Sequence, residues 1–325
     1  MLADITPYTD LVQELDSLFE NIDDEDEKEI VYPEYTRKDF LKDVYMSEED
    51  YNRLTGVLCN KKNIILQGAP GVGKTYLAKR LAYSIMGVKD VERVKMVQFH
   101  QSYSYEDFIM GFRPTLSGFE LKKGAFYNFC KKAEIDSDND YFFIIDEINR
   151  GEISKIFGEL FFSIDSGYRG ETGKIQTQYQ NLIEDGDVYE DGFYVPENVY
   201  IIGTMNDIDR SVDSMDFAMR RRFAWKEIKA TDRIEMLDEL SDLKNEAIDK
   251  MVNLNMTIEK TEGLNSSYHI GPAYFRKVML YKDNPDTMWA YLWDYHIKGV
   301  LYEYVRGTED IDIKMAAFEK AYNNK

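Results

Sequence analysis

Apolar positions recur along this chain in two rhythms. Near the start, LVQELDSLFENI (11–22) sets Leu11, Leu15, Leu18, Phe19 and Ile22 at helical spacing. DDEDEKE (23–29) then reads as a solvated linker or helix end. A second helix is expected from Ser47, a residue type that caps helices. Glu48, Glu49 and Asp50 suit its positive end, and Tyr51, Leu54, Val57 and Leu58 form its expected buried stripe. From residue 63 the rhythm changes to short, continuous apolar runs. NIILQG (63–68) reads as a buried strand, RVKMVQF (93–99) as the next strand, and YFFIID (141–146) and VYIIGTMN (199–206) as two more continuous apolar strands. Between the first two, KTYLAKRLAYSIMG (74–87) is helical, with Leu77, Leu81 and Ile85 on one face and Gly87 as its stop. Strands alternating with helical stretches predict an α/β fold: a mostly parallel sheet with helices on both faces. The strand signal ends near residue 229. TDRIEMLDELSDLKNEAIDKMVNL and TMWAYLWDYHIKGVLYEYV predict a small helical domain. The expected division is an acidic helical extension over 1–45, an α/β core over 46–228 and a helical lid over 229–325.

Composition narrows this picture. The chain has 325 residues, suiting about two domains. No apolar run reaches the roughly 18 residues that span a bilayer. MLADITPYTD lacks the basic start and apolar stretch of a signal peptide. Cys59 and Cys130 have no Cys or His at ligand spacing, which points away from disulfides and structural zinc and towards a reducing cytoplasm. The net charge of -20 is uneven: residues 1–50 hold 17 acidic and 4 basic side chains, leaving -7 for the rest. An acidic N-terminus repels nucleic-acid phosphates, so DNA contact is expected through a partner or a small local surface.

The candidate chemistry sits at strand ends. Gly68, Ala69, Pro70, Gly71, Val72, Gly73, Lys74 and Thr75 fit G-x-x-x-x-G-K-[ST], between a predicted strand and a predicted helix. Glycines let the backbone curl so that its N–H groups face phosphate oxygens, and the helix N-terminus adds positive charge. Lys74 would reach the β- and γ-phosphates, and Thr75 would offer a hydroxyl to Mg2+. Tyr76 completes the expected nucleotide-binding set. In FFIIDEINRG (142–151), Asp146 would hold Mg2+ and Glu147 would orient and deprotonate a water. A bare pair of surface acids is the competing reading. Asn206 either holds the nucleophilic water or closes an Asx-turn.

The order of phosphate loop, strand-end Asp-Glu and strand-end Asn resembles the AAA+ branch of P-loop NTPases. DEINRG is similar to the DEINRA-type sequence of the McrB and MoxR groups. IIGTMNDIDRSVDSMDFAMRRRF (201–223) resembles the McrB pattern of MNTADRS followed by D-x-A-L-R-R-R-F, the nearer match of the two. QSYSYEDFIMGFRP (101–114), expected to lead into a hairpin insert, and HIGPAYF (269–275) also look like McrB segments. The latter has Pro272 and Ala273 where the family has His and Ser. The resemblance covers roughly residues 55–300. It implies a ring-forming NTPase, a hexamer in expectation, using Mg2+ with GTP or ATP. In that family the motor serves a modification-dependent restriction system, so a separate McrC-like nuclease subunit and DNA translocation are implied too. A MoxR-like protein remodeller and a nucleotide-gated scaffold are the alternatives.

In such rings a neighbour supplies cations to the γ-phosphate. The resemblance places Arg220 and Arg221 in that catalytic role, with Arg113, Arg150, Arg210 and Arg222 as further interface candidates. Two other readings of the arginine run stay open: a salt-bridged helix end packed on the lid through Phe223, and a small nucleic-acid patch.

Overall fold

Helix and strand form where the apolar rhythm requires them, and a computed structural model describes residues 31–206, 208 and 217–324. By its contacts the chain divides into Met1–Pro33 and Glu34–Lys325. The expected helix at 11–22 and the acidic run at 23–29 lie outside the described residues, as does Arg210.

The second unit opens with α1 (Arg37–Val44) and α2 (Glu48–Lys61). Ser47 caps α2 as expected, its hydroxyl accepting the Asp50 N–H at 3.1 Å. Tyr51, Leu54 and Leu58 are buried, but Val57 is 39% exposed. That corrects the expected stripe: Val57 faces a shallow surface pocket beside Trp225 rather than the core.

Next come β1 (Asn63–Gly68), α3 (Lys74–Met86), β2 (Val94–Gln98), α4 (Tyr105–Phe108), β3 (Met110–Thr115), β4 (Gly118–Lys123), α5 (Ala125–Ile135), β5 (Tyr141–Asp146) and α6 (Ile153–Phe157). The stretch up to residue 198 then makes short 3-10 turns and an isolated antiparallel bridge between Ile175 and Phe193. After it come β6 (Val199–Asn206), α7 (Phe217–Arg220) and β7 (Ala224–Glu227). The main sheet has the order β2-β5-β6-β1-β7, with every pairing parallel. Its register aligns Gly68 with Asn206 and Gln98 with Asp146, so the strand ends share one edge. β3 and β4 form the expected hairpin, with Thr115 opposite Gly118 across a two-residue turn.

Both faces of the sheet are covered along its three central strands, which is why those read as nearly continuous apolar runs. Ile65, Phe143, Ile145 and Ile201 meet Phe108, Phe126 and Phe157 on one face. Ile64, Leu66, Phe142, Ile144 and Ile202 meet Leu58, Leu77 and Leu81 on the other. Each fully buried side chain of this size contributes about 1.5–3 kcal/mol. Phe223 belongs to the first of these cores, so it does not pack on the lid.

The lid begins at Ala230 with a 3-10 segment that leaves helical geometry at Arg233 and Ser241. It continues as α8 (Lys244–Lys260), α9 (Pro272–Arg276), α10 (Met288–Leu292), α11 (Lys298–Val305) and α12 (Ile311–Asn323). Leu254, Ile258, Phe275, Trp293, Leu301 and Phe318 make a separate third core. No helix among the described residues is long and apolar enough to cross a membrane.

Candidate nucleotide site

The turn from β1 into α3 carries the glycine-rich loop. Gly71 and Gly73 adopt φ of 75° and 79°, a left-handed region that costs other residues free energy. Gly71 has a second requirement, because a Cβ there would run into the Tyr274 ring of the lid. Lys74 is only 8% exposed, so its ammonium needs partners. It donates to the Gly68 carbonyl at 2.8 Å, the Ala69 carbonyl at 2.9 Å and Asn206 Oδ1 at 2.8 Å.

Asp146 ends β5 and accepts from Thr75 Oγ1 at 2.7 Å and from Thr204 Oγ1 at 2.6 Å. A hydroxyl and a carboxylate this close form a hard oxygen donor pair. Mg2+ commonly takes one or two such protein ligands and completes its shell with phosphate and water. The residues present therefore fit that ion. Glu147 follows with φ 52° and ψ 46°, left-handed for a residue with a side chain. This turns its carboxylate away from the strand direction. Oε2 accepts from Gln98 Nε2 at 2.9 Å and pairs with Arg150 Nε at 3.0 Å. Asn206 Nδ2 lies 3.5 Å from Oε1. Lys74, Thr75, Asp146, Glu147 and Asn206 thus converge at one edge of the sheet.

Thr204 and Gln98 join this cluster although neither was singled out from the sequence. Thr204 sits two residues before Asn206 and therefore on the same face of β6, a period-two signal that was available. Arg233 was also missed. It is buried in the lid, and Nη1 donates to the Gly73 carbonyl at 3.2 Å. Burial lowers its pKa to about 10. Between the loop and the lid lies a cavity of about 320 Å³, lined by Ala69, Ile228, Lys229, Thr231, Glu259 and His269.

The arginine run lies elsewhere. Asn63 opens β1, and its side-chain amide donates to the Arg222 carbonyl at 3.0 Å. The run is therefore level with the start of β1, while the phosphate loop follows its end. The separation along the strand is roughly 16 Å at the usual rise per residue. Arg222 is buried, donating from Nη1 to the Ala218 carbonyl at 2.6 Å and lying 4.7 Å from the Phe161 ring. Arg220 is exposed and stacks 4.7 Å over the Trp225 indole. Arg221 is exposed, and among the described residues its side chain makes no hydrogen bond or ion pair. Arg113 pairs with Asp107 beside the hairpin.

A buried guanidinium secures this second edge. Arg169 donates to Asn63 Oδ1 at 2.5 Å, the Ile164 carbonyl at 3.2 Å and the Val199 carbonyl at 3.3 Å. Burial lowers its pKa to about 10.

The covered parallel sheet, with a phosphate loop and polar strand ends at one edge, defines a P-loop NTPase. Residues 63–223 match the family described as AAA domain (dynein-related subfamily). Over 263 residues the chain is 44% identical to the Escherichia coli K12 protein "Type IV methyl-directed restriction enzyme EcoKMcrB subunit", covering 78% of this chain and 56% of that one. Over 194 residues it is 26% identical to "Type II restriction enzyme BsuMI component YdiS" of Bacillus subtilis 168, covering 51% of this chain and 56% of that one. The chain belongs to the McrB family of AAA+ NTPases. It spans about half the length of the curated relatives it matches.

Proposed function

We propose that this protein is the ring-forming motor of an McrB-like restriction system, hydrolysing GTP or ATP and coupling hydrolysis to DNA translocation in the cytoplasm. A separate McrC-like chain brings the nuclease, and a hexamer is the assembly we favour. The observation that carries this reading is the split between the two sheet edges. Lys74, Thr75, Asp146, Glu147 and Asn206 meet at one edge, and Arg220–Arg222 lie about a strand length away at the other. Cations so placed serve the phosphates of an adjacent subunit better than those of their own.

The loop from Gly68 to Tyr76 wraps the phosphates with backbone N–H groups. Lys74 exchanges its carbonyl partners for phosphate oxygens. Thr75 and Asp146 hold Mg2+, which when bound neutralises charge on the β- and γ-phosphates. Asn206 orients the attacking water, and Glu147 accepts its proton. Arg221 of the neighbour, with Arg220 beside it, stabilises charge on the transferring phosphoryl group. The cavity beside Ala69 offers room for the remainder of the nucleotide.

The test is turnover of GTP and of ATP by wild-type protein, with and without DNA and a candidate nuclease subunit. Hydrolysis stimulated by DNA supports the motor. Stimulation by a protein substrate alone shifts the reading to a protein remodeller, and absence of hydrolysis in every combination ends it.

A further inference from the structure

Among the described residues the lid donates three hydrogen bonds to the phosphate loop, and all three go to carbonyl oxygens. The Gly271 N–H donates to the Pro70 carbonyl at 3.1 Å, and the Ala273 N–H donates to the Gly71 carbonyl at 3.2 Å. Arg233 Nη1 takes the Gly73 carbonyl at 3.2 Å. The approach is tight: a Cβ on Gly271 would strike the Gly71 carbonyl group. Arg233 is 2% exposed, and its Nη2 has no hydrogen-bond partner among the described residues. Among the described residues, the one hydrogen bond this buried guanidinium makes goes to the loop.

A trans peptide is planar, so its C=O and the N–H of the next residue point in opposite directions. Pinning the carbonyls of Pro70, Gly71 and Gly73 towards the lid therefore aims the N–H groups of Gly71, Val72 and Lys74 away from it. That is the direction in which a phosphate cradle must present its donors. We propose that the lid is a working part of the phosphate cradle: Arg233, Gly271 and Ala273 are positioning residues that set the loop's N–H groups on the phosphate. The inference rests on the nucleotide-binding reading above and adds residues to it. It also accounts for Pro272 and Ala273, which stand where the family pattern has His and Ser. Backbone donors keep their function when the side chains change, and proline at the first position of α9 leaves the Ala273 N–H available. Nucleotide and lid are then linked reciprocally: a bound phosphate favours the docked lid, and a docked lid raises phosphate affinity.

The test compares wild-type protein with Arg233→Met, Arg233→Lys and Ala273→Pro. Affinities for GDP, GTP, ADP and ATP are measured by calorimetry at fixed Mg2+, alongside the thermal midpoint of the nucleotide-free protein. Loss of one such bond is worth about two- to tenfold in affinity. Arg233→Met is expected to weaken the diphosphate and triphosphate alike by that factor. Its nucleotide-free midpoint stays unchanged or rises, because a buried charge has been replaced by a well-packed apolar chain. Arg233→Lys keeps a donor and recovers part of the loss. Ala273→Pro removes the second donor, fills the space of the bond, and gives the same pattern with a larger loss. Arg233→Met binding as wild type, or weakening only in step with a lowered midpoint, overturns the proposal. Wild-type protein that binds none of the four nucleotides overturns the functional reading itself, so the two failures are told apart.

Discussion

The two edges of the same sheet solve opposite electrostatic problems. At the strand C-terminal edge, Thr75, Asp146, Thr204, Asn206 and Lys74 are short-range partners of one another. Lys74 and Asp146 each have more than one partner, so either can release one and keep another. At the other edge, Arg169 makes no ion pair among the described residues and is held by carbonyls and an amide. Carbonyl dipoles stabilise a buried cation without cancelling its charge. The first edge is thus adaptable and the second fixed. Head-to-tail association of such subunits would bring the two unlike edges together, whereas a two-fold pairing would set like against like.

The sharpest way to break this comparison is to neutralise Arg221, one of the two exposed arginines of the run. Arg221→Ala is expected to keep nucleotide affinity and lose turnover by roughly 10³–10⁵. Mixing it with Glu147→Gln subunits should restore some hydrolysis, because one intact site forms where the two variants meet. Absence of any recovery in demonstrably mixed assemblies removes trans action. Glu147→Gln alone should bind nucleotide and turn over about 10²–10⁴ more slowly, measured as phosphate release at saturation. At the fixed edge, Asn63→Leu strips the amide from Arg169 and should cost about 1–3 kcal/mol in denaturant unfolding. Nucleotide affinity should hold, and a fall in affinity at unchanged stability would mean that the edges are not independent.

The smallest effect concerns pH. Burial lowers the His269 pKa in the cavity beside the loop, and burial followed by nearby Lys277 lowers that of His296. A histidine held neutral by the fold contributes stability above its unfolded pKa and loses it as pH falls. Unfolding midpoints should therefore decline between about pH 7 and pH 5. His269→Gln should flatten part of that slope, with the remainder tracking His296.

Three central strands were legible to the residue because each is a largely apolar run closed by a residue of the candidate site: Gly68, Asp146 and Asn206. The loop and the acidic pair were legible because their chemistry requires adjacent residues. β7 was not, since AWKE is four residues long with no buried position in its pattern. It is a strand because it pairs with β1. Arg233 was hidden for a related reason. In a helical reading a charged residue falls on the solvated face, and only a break in the helix turns it towards Gly73. Val57 erred in the other direction, because helical spacing names a face without saying how far the neighbouring element covers it.

The strand order carries a consequence for synthesis. β1 lies between β6 and β7 in the sheet but precedes both in the chain. During translation NIILQG emerges with neither neighbour made, and its first partner begins only at Val199. At about 5–20 residues per second the wait is on the order of ten seconds. Through that interval the nascent chain carries an unpaired apolar segment, a ready target for chaperones and for other nascent chains of the same kind. A synonymous recoding that slows translation between residues 69 and 198 lengthens that exposure and should lower soluble yield without changing a single amino acid.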